Sequence, residues 1–499
     1  METVVNGIND VLWSNPVIYI LLAVGVLFTI VTRCLQIRQI KEMVRLLVDG
    51  KSSQAGVSSF QALSIALGGR VGTGNIAGVA TAIAFGGPGA IFWMCVMAFL
   101  GAATAYVEST LSQIYKVKVD GQYRGGPAYY IEKGIGWKWF AILFAIAGII
   151  GMGFLLPTTQ SNTTVAAMKN AFGFNPYISG AIYVLLFAII IFGGIKRIAR
   201  FAQVIVPFMA LGYILMAFIM MLLNISALPE VISIIIKSAF GLDSTFGGIL
   251  GMAVMWGVKR GIFSNEAGQG SGAHPSAAAE VSHPAKQGFV QAFSVYVDTL
   301  LVCVATGFMI ISTGMYNTEA PDGTLLVNNA GDAEIGPAYT QLAVDTVFPG
   351  FGAGFVAVAL ILFTFTTLLA YYYIAETNLV YLLKGTSKRW AFSLLKIGMI
   401  VITYYGALRS AELAWGFGDI GVGVMVWINV IAILILAKPA LIALKDYEAQ
   451  KKQGLDPIFN PKALGIKNAD YWEERYEQEQ SSSPKKQTVD TNTDTHLDM

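Results

Sequence analysis

The stretch Gly68-Gly69-Arg70-Val71-Gly72-Thr73-Gly74-Asn75-Ile76-Ala77-Gly78 sets five glycines around an arginine, a threonine and an asparagine inside an otherwise apolar run. Each glycine lowers helix propensity by about 1 kcal/mol relative to alanine, so this concentration predicts a helix that breaks. Small residues also serve close helix packing, but the polar Arg70 and Asn75 in the same stretch favour the break. Unwound backbone frees N–H and C=O groups, which an apolar medium tolerates only where they line a cavity or hold a ligand. The two new helix ends carry opposite partial charges. N–H groups of Thr73, Gly74 and Asn75 can therefore hold a carboxylate. Carbonyls of Gly68 and Val71 can ligate a small hard cation, with a side-chain oxygen from Asn75. An amino-acid zwitterion and an alkali ion both fit such a site.

A second oxygen set lies in Phe363-Thr364-Phe365-Thr366-Thr367. Thr366 and Thr367 follow Phe363 by three and four residues, so both hydroxyls reach the face where its carbonyl points. Hydroxyl and carbonyl oxygens suit a hard cation, although threonine also commonly bonds its own helix carbonyls. Gln160, after Pro157-Thr158-Thr159, is a neutral group able to bond an ammonium. Trp256 and Phe263 can wall off a small side chain, and Gly257 and Gly261 beside them permit a second break. Charges inside apolar runs are Arg70, Glu108, Lys259, Arg260, Glu266, Asp298 and Glu376. Such residues usually pair or line a pathway. Glu108 and Asp298 suggest pairing with Arg70 and Arg260, while Glu266 and Glu376 stay open as proton sites. No enzyme constellation is present: the three histidines (His274, His283, His496) are scattered, and no HExxH, CxxC or phosphate loop occurs.

The elements that must position these groups are membrane helices. Hydrophobic residues make up 55% of 499 positions and charged residues 13%, with mean hydropathy +0.60. A soluble domain carries about 25% charged residues, and a bilayer core needs about 20 apolar residues per helix. A net charge of +2 gives no reason to expect nucleic acid as a partner. Cys34, Cys95 and Cys303 sit in or beside apolar runs and read as small hydrophobes rather than a disulfide framework. The first run, about Val17 to Thr32, follows acidic residues and ends in Arg33, the reverse of a signal peptide, so it reads as a retained span.

Eleven candidate spans start near Pro16, Phe60, Gly89, Trp139, Tyr177, Phe201, Thr245, Gly288, Phe351, Ala391 and Ala411. Lys and Arg concentrate in the odd-numbered linkers, whereas the long eighth linker holds Glu319, Asp322, Asp332 and Glu334. The positive-inside rule then places the N-terminus outside and the polar tail from about Lys438 in the cytoplasm. That tail, ending SSSPKKQTVDTNTDTHLDM, reads as solvated and disordered at its end.

Arg70-Val-Gly-Thr-Gly-Asn75-Ile-Ala77-Gly78 reappears as Arg260-Gly-Ile-Phe-Ser-Asn265-Glu-Ala267-Gly268, an offset of 190 residues. The same offset carries Tyr106-Val107-Glu108-Ser109 onto Tyr296-Val297-Asp298-Thr299. Five spans separate the copies, and an odd number inverts the second in the membrane, the inverted-repeat plan of many secondary transporters. The expected organisation is an all-α integral membrane protein with an extra N-terminal helix and basic linker (1–58), a first five-helix repeat (59–240), a second, inverted one (241–440) and a tail (441–499).

The blocks RVGTGNIAGVATAIAFGGPGA, YVEST, RGGPAYYIEKGIG, RGIFSNEAGQGS and HPAKQGFVQAFSVYVDT resemble the alanine or glycine:cation symporter family over about residues 10 to 440. The resemblance implies a LeuT-type fold, coupling to sodium and sometimes protons, and alanine or glycine as substrate in a plasma (inner) membrane. By the same resemblance, Thr73 and Gly74 N–H groups would receive the substrate carboxylate, and Gln160, Trp256 and Phe263 would face the substrate. Gly68, Val71 and Phe363 carbonyls with Thr366 and Thr367 hydroxyls would form the Na+ site, and Asn75 would bridge substrate and a second cation site. Gly69 and Gln269 depart from the family pattern, where alanine and methionine are common, which bears on substrate preference. A channel is the rival class and would need aligned carbonyls or rings of charge; a membrane enzyme lacks its catalytic set.

Overall fold

A computed structural model describes residues 1–50, 52–192, 194–384 and 388–482. Its long helices follow the apolar runs, because hydrocarbon satisfies no backbone polar group and the helix satisfies them internally. Among the described residues, seven helices are long and apolar enough to cross a membrane. An eighth span results if Glu2–Leu12 and Asn15–Val31, bent by 43°, count as one. The three remaining expected spans, starting near Phe60, Tyr177 and Thr245, fall on shorter helices. Pro176–Ile191 is simply brief, whereas the other two belong to helices that stop inside the protein.

The first of these begins at a capping box: Ser58 Oγ accepts the Gln61 N–H, and the Gln61 side chain accepts the Ser58 N–H. Ser59–Arg70 then ends at Val71, a short 3-10 turn covers Thr73–Asn75, and Ala77–Gly86 resumes the helix. The second runs unbroken over Leu250–Asn265. Gly257 and Gly261, expected to permit a break, instead pack: a Cβ on Gly257 would lie 2.5 Å from Trp93 Cβ, and one on Gly261 3.2 Å from Met97 Cβ. The chain unwinds later, through Glu266 (φ 55°), Gly268 (φ 84°) and Gly270 (φ 83°), before Ala273–Ala278. Asn265 Oδ1 accepts the Ala267 N–H at this corner.

Both broken helices are buried. The Gly89–Ile114 helix packs on Leu250–Asn265 and Pro284–Val295, and Gly352–Leu382 packs on Ser59–Arg70 and Leu156–Phe172. Peripheral helices expose their apolar side chains instead, as at Ile182, Leu185, Phe208, Leu211, Leu394 and Val401. That exposed surface suits a bilayer. The chain is all-α as expected, with two short antiparallel hairpins among the described residues pairing Val117–Val119 with Gln122–Arg124 and Asn317–Glu319 with Leu325–Asn328.

The tail also differs from a solvated segment. Ala437–Lys452 is a helix, and Trp472 on the Asp470–Ser482 helix is only 2% exposed. Trp472 Nε1 donates to the Gln113 carbonyl at 2.7 Å, and Arg475 pairs with Glu280 at 2.7 Å. Aromatic residues in a polar tail find a docking face that composition alone does not announce. The disorder expected at its end concerns residues 483–499, outside the described residues. Cys34, read as a small hydrophobe in or beside an apolar run, is exposed at a left-handed corner after Arg33.

Candidate functional site

The break at Val71–Gly72 lies against the middle of Gly352–Leu382. Thr367 Oγ1 is 2.9 Å from the Gly68 carbonyl, 3.4 Å from that of Val71 and 3.0 Å from that of Phe363. Thr366 Oγ1 is 2.9 Å from the same Phe363 carbonyl. Three carbonyls and two hydroxyls from two distant helices thus share one buried spot. Both hydroxyls do also what threonines do in apolar helices, bonding the carbonyls three and four residues back. The contact to Gly68 is the addition, and it spans 299 residues of sequence.

One turn on, the unwound backbone of the break meets Leu156–Phe172. The Thr73 N–H donates to Gln160 Oε1 at 3.1 Å, and Gln160 Nε2 faces the Tyr371 hydroxyl at 3.5 Å. Thr73 Oγ1 is buried with no hydrogen-bond partner among the described residues. Gly74 fits tightly, since a Cβ there would lie 3.0 Å from Ser264 Cα and 3.3 Å from Phe263 Cδ1. Glycine thus eases the close approach of the two broken helices here. Phe263 continues the wall: its ring centroid is 5.0 Å from that of Trp415, and a Cβ on Gly418 would approach it to 3.2 Å.

Asn75 turns away from both sets. Its Oδ1 accepts the Gly72 N–H at 2.8 Å, and its Nδ2 donates to Asp298 Oδ1 at 2.7 Å. Asp298 also accepts from Ser264 Oγ at 2.9 Å and Thr299 Oγ1 at 2.8 Å. Trp256 is separate as well. It stacks on Phe85 at 4.8 Å and lines a cavity of about 490 Å³ with Asp10, Thr81, Lys259, Arg260, Trp415 and Asp419. Arg260 lies 4.5 Å over the Trp415 ring and 5.4 Å over Phe263, between that cavity and the buried break. So Gly68, Val71, Phe363, Thr366 and Thr367 come together, Thr73, Gly74, Gln160 and Phe263 adjoin them, and Trp256 stands apart.

The expected ion pairs are not those formed. Arg260 is held bidentately by Asp419, at 2.8 and 3.1 Å, and Lys259 reaches the same carboxylate at 2.7 Å. Glu108 Oε2 accepts the Gly270 N–H at 3.1 Å and Asn429 Nδ2 at 2.9 Å rather than an arginine. Arg70 Nη1 donates to the Gln291 carbonyl at 3.2 Å and to Ser294 Oγ. Glu376 pairs with Arg124 at 3.4 Å. Asp419 and Trp415 were absent from the expected set, although Asp419 is a carboxylate in an apolar run and that signal is readable. Tyr371 carries no such mark, because a tyrosine in an aromatic-rich helix looks like packing.

Known proteins resemble this chain in sequence and in fold. The chain is 66% identical to YrbD of Bacillus subtilis (strain 168), covering 96% of this chain and 99% of that one. It is 53% identical to the sodium/proton-dependent alanine carrier protein of Bacillus sp. (strain PS3), over 87% of this chain and 98% of the relative. In fold it is similar to a solved Na+-coupled sialic acid symporter in a substrate-bound outward-open state. The TM-score is 0.51 at 12% identity, over 93% of this chain and 96% of that one. A profile of the sodium:alanine symporter family matches residues 1–461, and with it the chain belongs to that family of membrane transporters.

Proposed function

We infer that this protein is a secondary active symporter that carries a small neutral amino acid, alanine or glycine, together with Na+ by alternating access. The observation that carries it is the convergence of the Gly68, Val71 and Phe363 carbonyls with the Thr366 and Thr367 hydroxyls beside the Thr73 N–H. Neutral oxygens are the ligands Na+ takes in broken membrane helices, and the positive end of the following half-helix suits an anionic substrate group. The substrate carboxylate takes the N–H groups of Thr73 and Gly74, displacing Gln160 Oε1, which then faces the ammonium. Phe263 and Gly74 bound the side chain and keep it small. Asn75 ties the break to Asp298 and so links substrate to the second repeat; Trp256 meets the substrate only on its way through the outer cavity.

Two inverted five-helix repeats, 59–240 and 241–440, with the extra helix in 1–58, supply the rocking halves. The N-terminus lies outside and the tail, 441–499, in the cytoplasm of a plasma membrane. The PS3 relative is named a sodium/proton-dependent carrier, so a proton-coupled carrier of the same substrates is the second reading within the same class. Labelled-alanine uptake into proteoliposomes tests the proposal. Uptake driven by an inward Na+ gradient, saturable in alanine and lost without the gradient, is the expected result. Continuous ion current without saturable uptake would sink it in favour of a channel.

A further inference from the structure

Glu266 is the first residue of the second break and is 2% exposed. Its Oε2 accepts Ser271 Oγ at 2.6 Å, and its Oε1 has no hydrogen bond of good geometry among the described residues. No Lys, Arg or His nitrogen among them lies within 4.0 Å of it, unlike Glu376 and Asp419, which are paired. Two groups stand ready nearby. Tyr371, from Gly352–Leu382, brings its hydroxyl near Glu266 without a hydrogen bond of good geometry, and Gln160 Nε2 donates to that hydroxyl at 3.5 Å. Arg70, from the first broken helix, leaves Nε and Nη2 unpartnered, and its Nη2 lies against Gly272, in the same unwound segment as Glu266. Asp298 is the other charge that reaches Glu266, and Glu108 reaches Arg70.

We propose that Glu266 carries a proton through the transport cycle, in communication with the substrate site through Tyr371 and Gln160. This rests on the symport reading above. Two states follow from the groups in place. With a proton on Oε1, the carboxyl is neutral and stays with Ser271 and Tyr371. Without it, the carboxylate turns to the free N–H groups of Arg70, which sit on the other broken helix. The proton arrives from water on the outer side and leaves to water on the cytoplasmic side, so one positive charge crosses per turn in addition to Na+. Gln160 couples the two sites: while the substrate is absent it is spent on the Thr73 N–H. A bound substrate carboxylate releases it, and the Tyr371 hydroxyl changes partner accordingly. A ligand with different contacts in the two states shifts the balance between them.

The test uses the full-length protein in proteoliposomes containing a pH-sensitive dye, with the membrane potential clamped by potassium and valinomycin. An inward Na+ gradient is imposed, and labelled-alanine uptake and internal acidification are read together. Wild type is expected to acidify the lumen in proportion to alanine taken up. Glu266→Gln should continue Na+-driven uptake with acidification per alanine reduced at least fivefold and with uptake insensitive to external pH between 6 and 8. Glu266→Asp should restore acidification. Should Glu266→Gln not yield folded protein, Tyr371→Phe decides: a threefold or greater fall in protons per alanine supports the coupling, and an unchanged ratio refutes it. Wild-type protons per alanine in Glu266→Gln would overturn the assignment, as would a wild type that moves alanine with Na+ but no proton. A wild type with no Na+-driven alanine uptake at all would instead overturn the symport reading.

Discussion

Asp298 accepts the Asn75 side-chain amide at 2.7 Å, and this contact has a counterpart across the molecule. Glu108, which the 190-residue offset maps onto Asp298, accepts the Gly270 N–H at 3.1 Å. Asp298, on the span Pro284–Thr313, bonds the first broken helix, and Glu108, on Gly89–Ile114, bonds the unwound segment after Leu250–Asn265. Such an exchange is what two inverted repeats sharing one centre would produce, and it explains why these acids are matched without an arginine partner. Hydrogen bonds to a charged group contribute about 1.5–3 kcal/mol each, and leaving the buried partner unsatisfied costs as much again.

Asn75→Ala should therefore disable the site without unfolding the protein. It strips Asp298 of one of its three side-chain donors and uncovers the Gly72 N–H, which Asn75 Oδ1 accepts at 2.8 Å. The initial rate of labelled-alanine uptake at saturating Na+, corrected for protein amount, should fall at least tenfold. A rate within twofold of wild type would remove Asn75 from the mechanism.

Thr367 separates a cation role from a merely helical one. Thr367→Val keeps the shape and deletes the hydroxyl that meets Gly68 and Phe363, whereas Thr367→Ser keeps the hydroxyl. The concentration of Na+ needed for half-maximal uptake should rise about tenfold or more in the valine variant, since about 1.4 kcal/mol of lost ligation is a factor of ten. The serine variant should stay within threefold. Equal Na+ dependence in both variants would leave the hydroxyl as ordinary backbone bonding.

The first break was legible because its glycines stand beside Arg70 and Asn75, polar groups that an apolar run does not otherwise tolerate. The second was misplaced by about ten residues. Gly257 and Gly261 serve close packing against Trp93 and Met97, and a glycine that lets helices approach looks, in one dimension, like a glycine that unwinds. The unwinding signal was the denser Glu266-Ala-Gly-Gln-Gly, where three residues take positive φ. Arg260 was expected to meet a repeat-matched acid, yet Asp419 holds it from a helix 159 residues away. Sequence symmetry predicts equivalent positions, not equivalent partners. The convergence of Phe363 and Thr367 on Gly68 was likewise reachable only through the family resemblance, since no local spacing joins helices so far apart.

In the proposed site, the wall against the substrate side chain is formed where Gly74 meets Phe263. A Cβ at Gly74 would press on the Ser264 backbone at 3.0 Å, and backbone cannot rotate aside. Gly74→Ala should lower alanine uptake about tenfold at normal expression, in line with overpacking costs of about 1–3 kcal/mol. Phe263→Ala should act oppositely, opening space so that a larger neutral amino acid competes with labelled alanine at least tenfold better than in wild type. Unchanged competition by larger substrates would show that another wall sets the limit.

The docked tail makes a prediction in pH. Lys116 follows the Gly89–Ile114 helix, and its ammonium lies 4.3 Å from the Tyr123 ring, 4.6 Å from Tyr471 and 4.9 Å from Trp472. Burial pushes its pKa down to about 7, against the partial support of Glu280. The unfolded chain keeps this proton up to about 10.5, so between those values the unfolded state binds more protons than the native one. Stability from this group therefore rises with pH through the window, by up to about 1.4 kcal/mol per pH unit. It is lost as pH falls through 7. Thermal unfolding of the detergent-solubilised protein should show a midpoint that climbs more steeply from pH 7 to 9.5 in wild type than in Lys116→Met. Trp472→Ala, which opens the cage to water, should flatten the climb part of the way. Parallel slopes in all three proteins would mean that Lys116 stays charged in the folded state throughout, held by its three rings and the Ala279 carbonyl at 3.1 Å.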